Sequence, residues 1–177
     1  ASKYCDSLVI GDAELVWENL LNDFKNKELK KIYEKPLPNG YFSTPMPRFD
    51  LLKGKNIGDF LPVQAGRGCP NSCSFCSVSC LYKGRYIKRP LDEVIRDIKQ
   101  IKDPGYKKIL LLDDNIFSDK EYLNELLDKL IQFNIEWMSQ CEIRIGNDDE
   151  LLSKLYKSGC RTLSFGLESI SKESLIS

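Results

Sequence analysis

The segment Cys69-Pro70-Asn71-Ser72-Cys73-Ser74-Phe75-Cys76 carries three thiols within eight residues, with small or turn-forming residues between the first two. Such a loop can wrap one compact object. Iron–sulfur clusters are held by cysteine thiolates, whose charge the metal stabilises, and a cube offers several corners that a short loop can reach. Three ligands would leave one iron of a [4Fe–4S] cube without a cysteine, and an open coordination position separates a site that binds substrate from a closed structural one. Cys80 offers an alternative, as a fourth ligand that closes the cluster or completes a structural zinc site. Zinc sites usually pair two short Cys pairs across a longer span, which Cys69 to Cys80 does not supply. Spacing alone leaves the open and the closed cluster both standing, with unligated surface cysteines as the bland alternative.

The elements that must position this loop read as α/β. Pro62 to Gly66 forms a short strand running into the cysteines. Leu91, Val94, Ile95, Ile98 and Ile101 define an amphipathic helix opened by Pro90 and closed by Pro104-Gly105. Lys108 to Leu112 is a buried strand, followed by a Ser118/Glu121 capping box and a helix face of Tyr122, Leu123, Leu126, Leu127, Leu130 and Ile131. Ile135 to Cys141 is a third strand. Asp148 caps a helix carrying Leu151, Leu152, Leu155 and Tyr156, which Gly159 ends, and Arg161 to Gly166 is a fourth strand. Repeated βα units with short connections imply a parallel sheet, with chemistry at the C-terminal ends of its strands. Four units cannot close a barrel, and Ser171 caps a new helix as the sequence stops.

Upstream, Ser7 to Ile10 reads as a buried strand, Leu15, Val16, Leu20, Leu21 and Phe24 recur at helical spacing, and Leu29 to Tyr33 returns as a strand. Residues 1–35 therefore read as the end of a larger αβ domain, 36–61 as a Pro/Gly-interrupted linker whose Leu51, Leu52, Phe60 and Leu61 dock on a neighbour, and 62–177 as an incomplete βα array. On this reading the chain is a fragment, open at both ends.

The 26 basic and 26 acidic residues cancel, which removes the electrostatic footprint of a dedicated nucleic-acid or anionic-membrane binder. No apolar stretch approaches bilayer length and no signal peptide opens the sequence, so the expected location is the cytoplasm. An odd count of seven cysteines without secretory features favours metal over disulfides. Cys5, Cys141 and Cys160 read as buried small hydrophobes, and Lys83, Arg85, Lys88 and Arg89 as a solvated basic loop. The absence of histidine removes the usual general acid or base and the imidazole that holds cobalt in many cobalamin domains.

At the cysteine loop the sequence resembles the radical S-adenosylmethionine (radical SAM) superfamily, whose signature is CxxxCxxC with an aromatic residue before the last cysteine, here Phe75. Arg67-Gly68-Cys69-Pro70, Asp113-Asp114-Asn115 and Gly166-Leu167-Glu168-Ser169 are similar to the branch with an N-terminal cobalamin-binding-type domain, and Asp6 to Trp17 resembles that domain's end. The resemblance implies a partial (β/α) barrel of the radical SAM type, its first four βα units present, preceded by the end of a Rossmann-like domain. It also implies that Cys69, Cys73 and Cys76 hold a [4Fe–4S] cluster whose fourth iron binds the amino and carboxylate groups of S-adenosylmethionine. Reductive cleavage then yields a 5′-deoxyadenosyl radical that acts on a substrate, in some members alongside cobalamin, with electrons from a protein such as flavodoxin or ferredoxin.

By the same resemblance Phe75 lies against the adenine or else fills space beneath the loop. Asp113, Asp114 and Asn115 offer acceptors for the cofactor's ammonium, or a turn capping the next helix, where the wider superfamily often has Gly-Gly-Glu. Glu168 and Ser169 match positions that meet the ribose hydroxyls. Gln140, Glu142 and Arg144 are weaker candidates that a salt-bridged rim explains equally well. No catalytic side chain is assigned, and the substrate is not legible.

Overall fold

In the computed structural model, which describes residues 2–55 and 57–176, the chain parts into two compact units, 1–39 and 40–177. The first holds strand β1 (Leu8–Ile10), helix α1 (Trp17–Lys25) and strand β2 (Ile32–Glu34), the strands pairing in parallel. The Tyr33 hydroxyl donates to Asp23 at 2.8 Å and ties β2 back to the helix.

The second unit runs β3 (Phe60–Val63), β4 (Gly66–Gly68), α2 (Ser77–Tyr82), β5 (Tyr86–Lys88), α3 (Leu91–Lys102), β6 (Lys108–Leu111), α4 (Lys120–Leu130), β7 (Glu136–Gln140), α5 (Asp149–Lys157), β8 (Cys160–Ser164) and α6 (Lys172–Ile176). Its main sheet has the order β3-β6-β7-β8, and each pairing is parallel, so every strand lies beside the next one of the series. Each crossover between them carries a helix, the arrangement that parallel pairing demands.

Register explains the core. Leu61 pairs with Ile109, Ile109 with Trp137 and Trp137 with Cys160, so one row of side chains points to one face. That row packs in a single cluster with Val94, Ile98 and Ile101 of α3, Leu123, Leu126, Leu127 and Leu130 of α4, and Leu151 and Leu155 of α5. The helices therefore share one face of the sheet. Fully burying each such aliphatic side chain contributes about 1.5–3 kcal/mol before conformational entropy is counted. The one large polar atom in the row, the Trp137 indole N–H, donates to the Ser158 carbonyl at 3.2 Å and so avoids the cost of an unmet donor. Gly159, which ends α5, could not be another residue cheaply: a Cβ there would lie 2.0 Å from the Ile135 carbonyl oxygen.

Three details depart from the sequence reading. The stretch Pro62 to Gly66 is not one strand: β3 stops at Val63, and β4 is a separate element that pairs antiparallel with β5. The cysteine loop thus leaves β4 rather than the main sheet. The cap of α4 is Asp119, whose side chain accepts from the Tyr122 N–H at 3.0 Å, and not Ser118. Asp148 caps α5 as expected, accepting from Leu151 N–H at 3.0 Å.

The basic run around β5 is likewise not a solvated loop throughout. Arg89 is buried, and its guanidinium donates to the Gln64 carbonyl at 2.9 Å and to Asp97 at 2.9 Å. Burial of that charge is tolerable because both a carboxylate and a carbonyl receive it. Residues 40–61 belong to the second unit, with Phe49 buried in its core. Among the described residues no helix is long and apolar enough to cross a membrane.

Candidate cluster-binding site

Cys69 begins where β4 ends, and Cys76 immediately precedes α2, so the three thiols occupy the connection between a strand and a helix. Cys76 N–H donates to the Cys73 carbonyl at 3.1 Å, a tight turn that keeps the second and third thiols close along the chain. None of the seven cysteines is in a disulfide; Cys73 is exposed, and Cys69 and Cys76 are half-buried. Among the described residues no three cysteine or acidic side chains converge on one point. The three thiols follow one another in a single short loop, and a soft thiolate donor set is the chemistry by which iron–sulfur clusters are held. Cys80 lies one turn into α2, exposed, its N–H directed to the Cys76 carbonyl at 3.4 Å.

The loop is fastened from two sides. Gly68 N–H donates to Asp114 at 2.7 Å, which ties the residue before Cys69 to the end of β6. Asn71 donates to Glu142 at 2.7 Å, which ties the loop to the end of β7. Asn115 completes the junction, donating from its amide to Cys69 Sγ at 3.5 Å and to Glu142 at 3.4 Å. Burial works to raise the Glu142 carboxyl, but Arg144, Asn71 and Asn115 outweigh it and hold the group below the ordinary glutamate value. Glu142 and Arg144 form an ion pair at 2.7 Å.

Asp113, one of the three neighbouring candidates for the cofactor's ammonium, is fully buried. Its carboxylate accepts from Ala65 N–H and from the Tyr86 hydroxyl, each at 2.8 Å, so its oxygens brace the β3–β4 turn and β5 from inside. Burial raises this carboxyl to about 6, against the opposing help of those donors. A carboxyl raised when folded contributes stability below the unfolded value, and that contribution disappears as pH rises through the folded one. Asp113→Asn, which cannot ionise, is therefore expected to gain on the parent by about 2 kcal/mol between pH 4 and pH 7. Urea midpoints of both proteins across that range test this; parallel curves would refute it.

Phe75 is 70% exposed, so it does not fill space beneath the loop. Glu168 and Ser169 leave the C-terminal end of β8, the same end of the sheet from which Asp114 and Asn115 leave β6. Glu168 adopts a left-handed backbone with φ 56°. Gln140 is exposed at the end of β7. Sequence reasoning left Glu142 and Arg144 as weak candidates that a salt-bridged rim explained equally well, and gave no part to Asn71, whose side chain joins the cysteine loop to them.

A parallel sheet with helices on one face and a three-thiol loop fastened at the C-terminal ends of its strands defines an α/β fold with its thiols on the functional rim. The Radical SAM superfamily model matches residues 63–176, and the chain belongs to that superfamily, whose cofactors are a [4Fe–4S] cluster and S-adenosylmethionine. Among curated proteins it is 29% identical to the bacteriochlorophyllide d C-12(1)-methyltransferase of Chlorobaculum tepidum, over 99% of this chain and 40% of that protein. It is 28% identical to the same organism's bacteriochlorophyllide d C-8(2)-methyltransferase, over 99% of this chain and 42% of that protein. The chain thus spans less than half the length of these relatives. A solved structure of the radical S-adenosylmethionine methyltransferase TsrM from Kitasatospora setae, with cobalamin and a [4Fe–4S] cluster bound, matches with a TM-score of 0.60 at 20% identity, covering 66% of this chain and 22% of that one. This likeness is one of fold.

Proposed function

We propose that the protein is a radical SAM enzyme in which Cys69, Cys73 and Cys76 hold the cluster, and that its reaction class is methyl transfer. The observation that carries the reading is the three-thiol loop, unbridged and docked on the strand ends by Asp114, Asn71 and Asn115. Held by these residues, the cluster would supply the electron for reductive cleavage of S-adenosylmethionine to methionine and a 5′-deoxyadenosyl radical. The chain's own part is to bind, orient and shield. Phe75, exposed beside the last cysteine, offers its ring face to the adenine. Asp114 offers a carboxylate oxygen to the cofactor's ammonium, and the Glu168 and Ser169 oxygens suit the ribose hydroxyls. Asn115, whose Oδ1 is taken by the Phe117 and Glu142 N–H groups, has no acceptor left for that role.

Methyl transfer is supported by the two methyltransferase relatives and by the fold shared with TsrM. Cobalamin as a further cofactor is supported by its presence in that structure, with any contribution from residues 1–35 made without histidine. The one-faced helical layer and the stepwise strand order support a partial (β/α) barrel, with residues 1–35 the end of a Rossmann-like domain and 36–61 the connection. Seven unbridged thiols suit a reducing cytoplasm, where a flavodoxin or ferredoxin would deliver the electron.

The test is anaerobic reconstitution with iron and sulfide, reduction, and addition of S-adenosylmethionine: 5′-deoxyadenosine should form only with reductant present. The position of Cys80, one turn beyond Cys76 and exposed, favours as second reading a closed electron-transfer cluster. A four-cysteine cluster with no cleavage would establish that reading instead.

A further inference from the structure

Asn115 is 3% exposed and caught between three polar partners, which fixes the direction of its amide. Its Oδ1 accepts from the Phe117 and Glu142 backbone N–H groups, each at 3.2 Å, so its Nδ2 must face the other way. What it faces is Cys69 Sγ at 3.5 Å and Glu142 Oε2 at 3.4 Å. Glu142 is held in its turn by Asn71 at 2.7 Å and by Arg144 at 2.8 Å.

We propose that Asn115 is a positioning residue for the cluster: its amide N–H orients the Cys69 thiolate and stabilises the cluster's reduced form. The proposal rests on the reading that Cys69 is a cluster ligand. Hydrogen bonds to ligating sulfurs are among the groups that set an iron–sulfur potential. Taking up one electron makes cluster and sulfurs more negative, and a buried N–H with its positive end on sulfur favours that state. The effect is strong here because the amide cannot turn away without leaving two backbone donors unmet. Arg144 interacts with Cys69 through charge, from an exposed position where salt screens it. Asn115 acts from inside, so its effect persists at high salt.

Asn115→Asp keeps the acceptor and replaces the donor by an anion. Its Oδ1 can still accept from Phe117 and Glu142, while the N–H facing sulfur becomes a carboxylate oxygen. The reconstituted protein is titrated potentiometrically with the reduced cluster followed by electron paramagnetic resonance, at low and high salt, and iron is counted per chain. Asn115→Asp should shift the midpoint potential to more negative values at both salt concentrations and lower the iron content. Asn115→Ala, which removes the donor without adding charge, should shift it less in the same direction. Folding of each apoprotein is checked by its thermal melt, and if one variant fails to fold, the other carries the test with its own stated shift. Parent-like potentials in folded variants that hold the cluster overturn the proposal alone. A parent protein that binds no cluster overturns the radical SAM reading together with it.

Discussion

Replacing Cys69, Cys73 or Cys76 singly by alanine is expected to abolish both the [4Fe–4S] absorption and the formation of 5′-deoxyadenosine. Each thiolate supplies charge and a strong bond to one iron, and two remaining cysteines leave two corners of the cube to water and buffer thiols. The loss should be of cofactor and not of fold: Cys73 is exposed, Cys69 and Cys76 are half-buried, and none belongs to the buried core. Apoprotein melting temperatures close to the parent's would separate the two. Cys80→Ala is the informative contrast, because Cys80 is exposed on α2 and lies outside the buried core. Under a three-cysteine site it leaves iron content and cleavage unchanged. Loss of the cluster in Cys80→Ala, equal to that in Cys69→Ala, would instead establish four cysteine ligands and sink the open-site reading.

The main sheet was legible because its strands are apolar runs bounded by caps and turns. Lys108 to Leu112 and Ile135 to Cys141 announce β6 and β7 to within a residue or so, and parallel pairing follows from the helix that must fill each crossover. β4 and β5 were not legible. Gly66-Arg67-Gly68 and Tyr86-Ile87-Lys88 are too short and too polar for periodicity to register, and their pairing spans the whole cysteine loop. For the same reason Arg89 read as solvated: its partner Asp97 lies on α3 and is hidden in an amphipathic pattern that marks only apolar residues. Spacing identified the thiols, but the fastening of their loop was out of reach. Asn115 and Glu142 lie 27 residues apart and meet only because β6 and β7 are neighbours. The one signal that could have joined them is positional, since both follow parallel strands at the same end of one sheet.

Gly68→Ala should do nearly as much damage as losing a cysteine, by a different route. Gly68 has φ 85°, and a Cβ there would stand 2.2 Å from the Arg85 carbonyl oxygen and 2.9 Å from the Tyr82 side chain. The obstacle at Arg85 is backbone, anchored next to β5, so it cannot swing aside as the end of a side chain could. Relief requires β4 to separate from β5, which also pulls the Gly68 N–H from Asp114 and shifts Cys69, the next residue. The expected cost is about 3 kcal/mol or more, from left-handed strain together with the clash. Gly66→Ala provides the comparison, because the atoms nearest its Cβ would be those of the Tyr86 side chain, 2.2 Å away. That ring can turn, at the expense of its hydrogen bond to Asp113, so Gly66→Ala should keep more of its iron than Gly68→Ala. Urea midpoints and iron content, measured for both variants, decide the matter. If Gly68→Ala unfolds at the parent's midpoint and fills with iron as the parent does, the close approach of β4 to Arg85 is not what sets the cysteine loop in place.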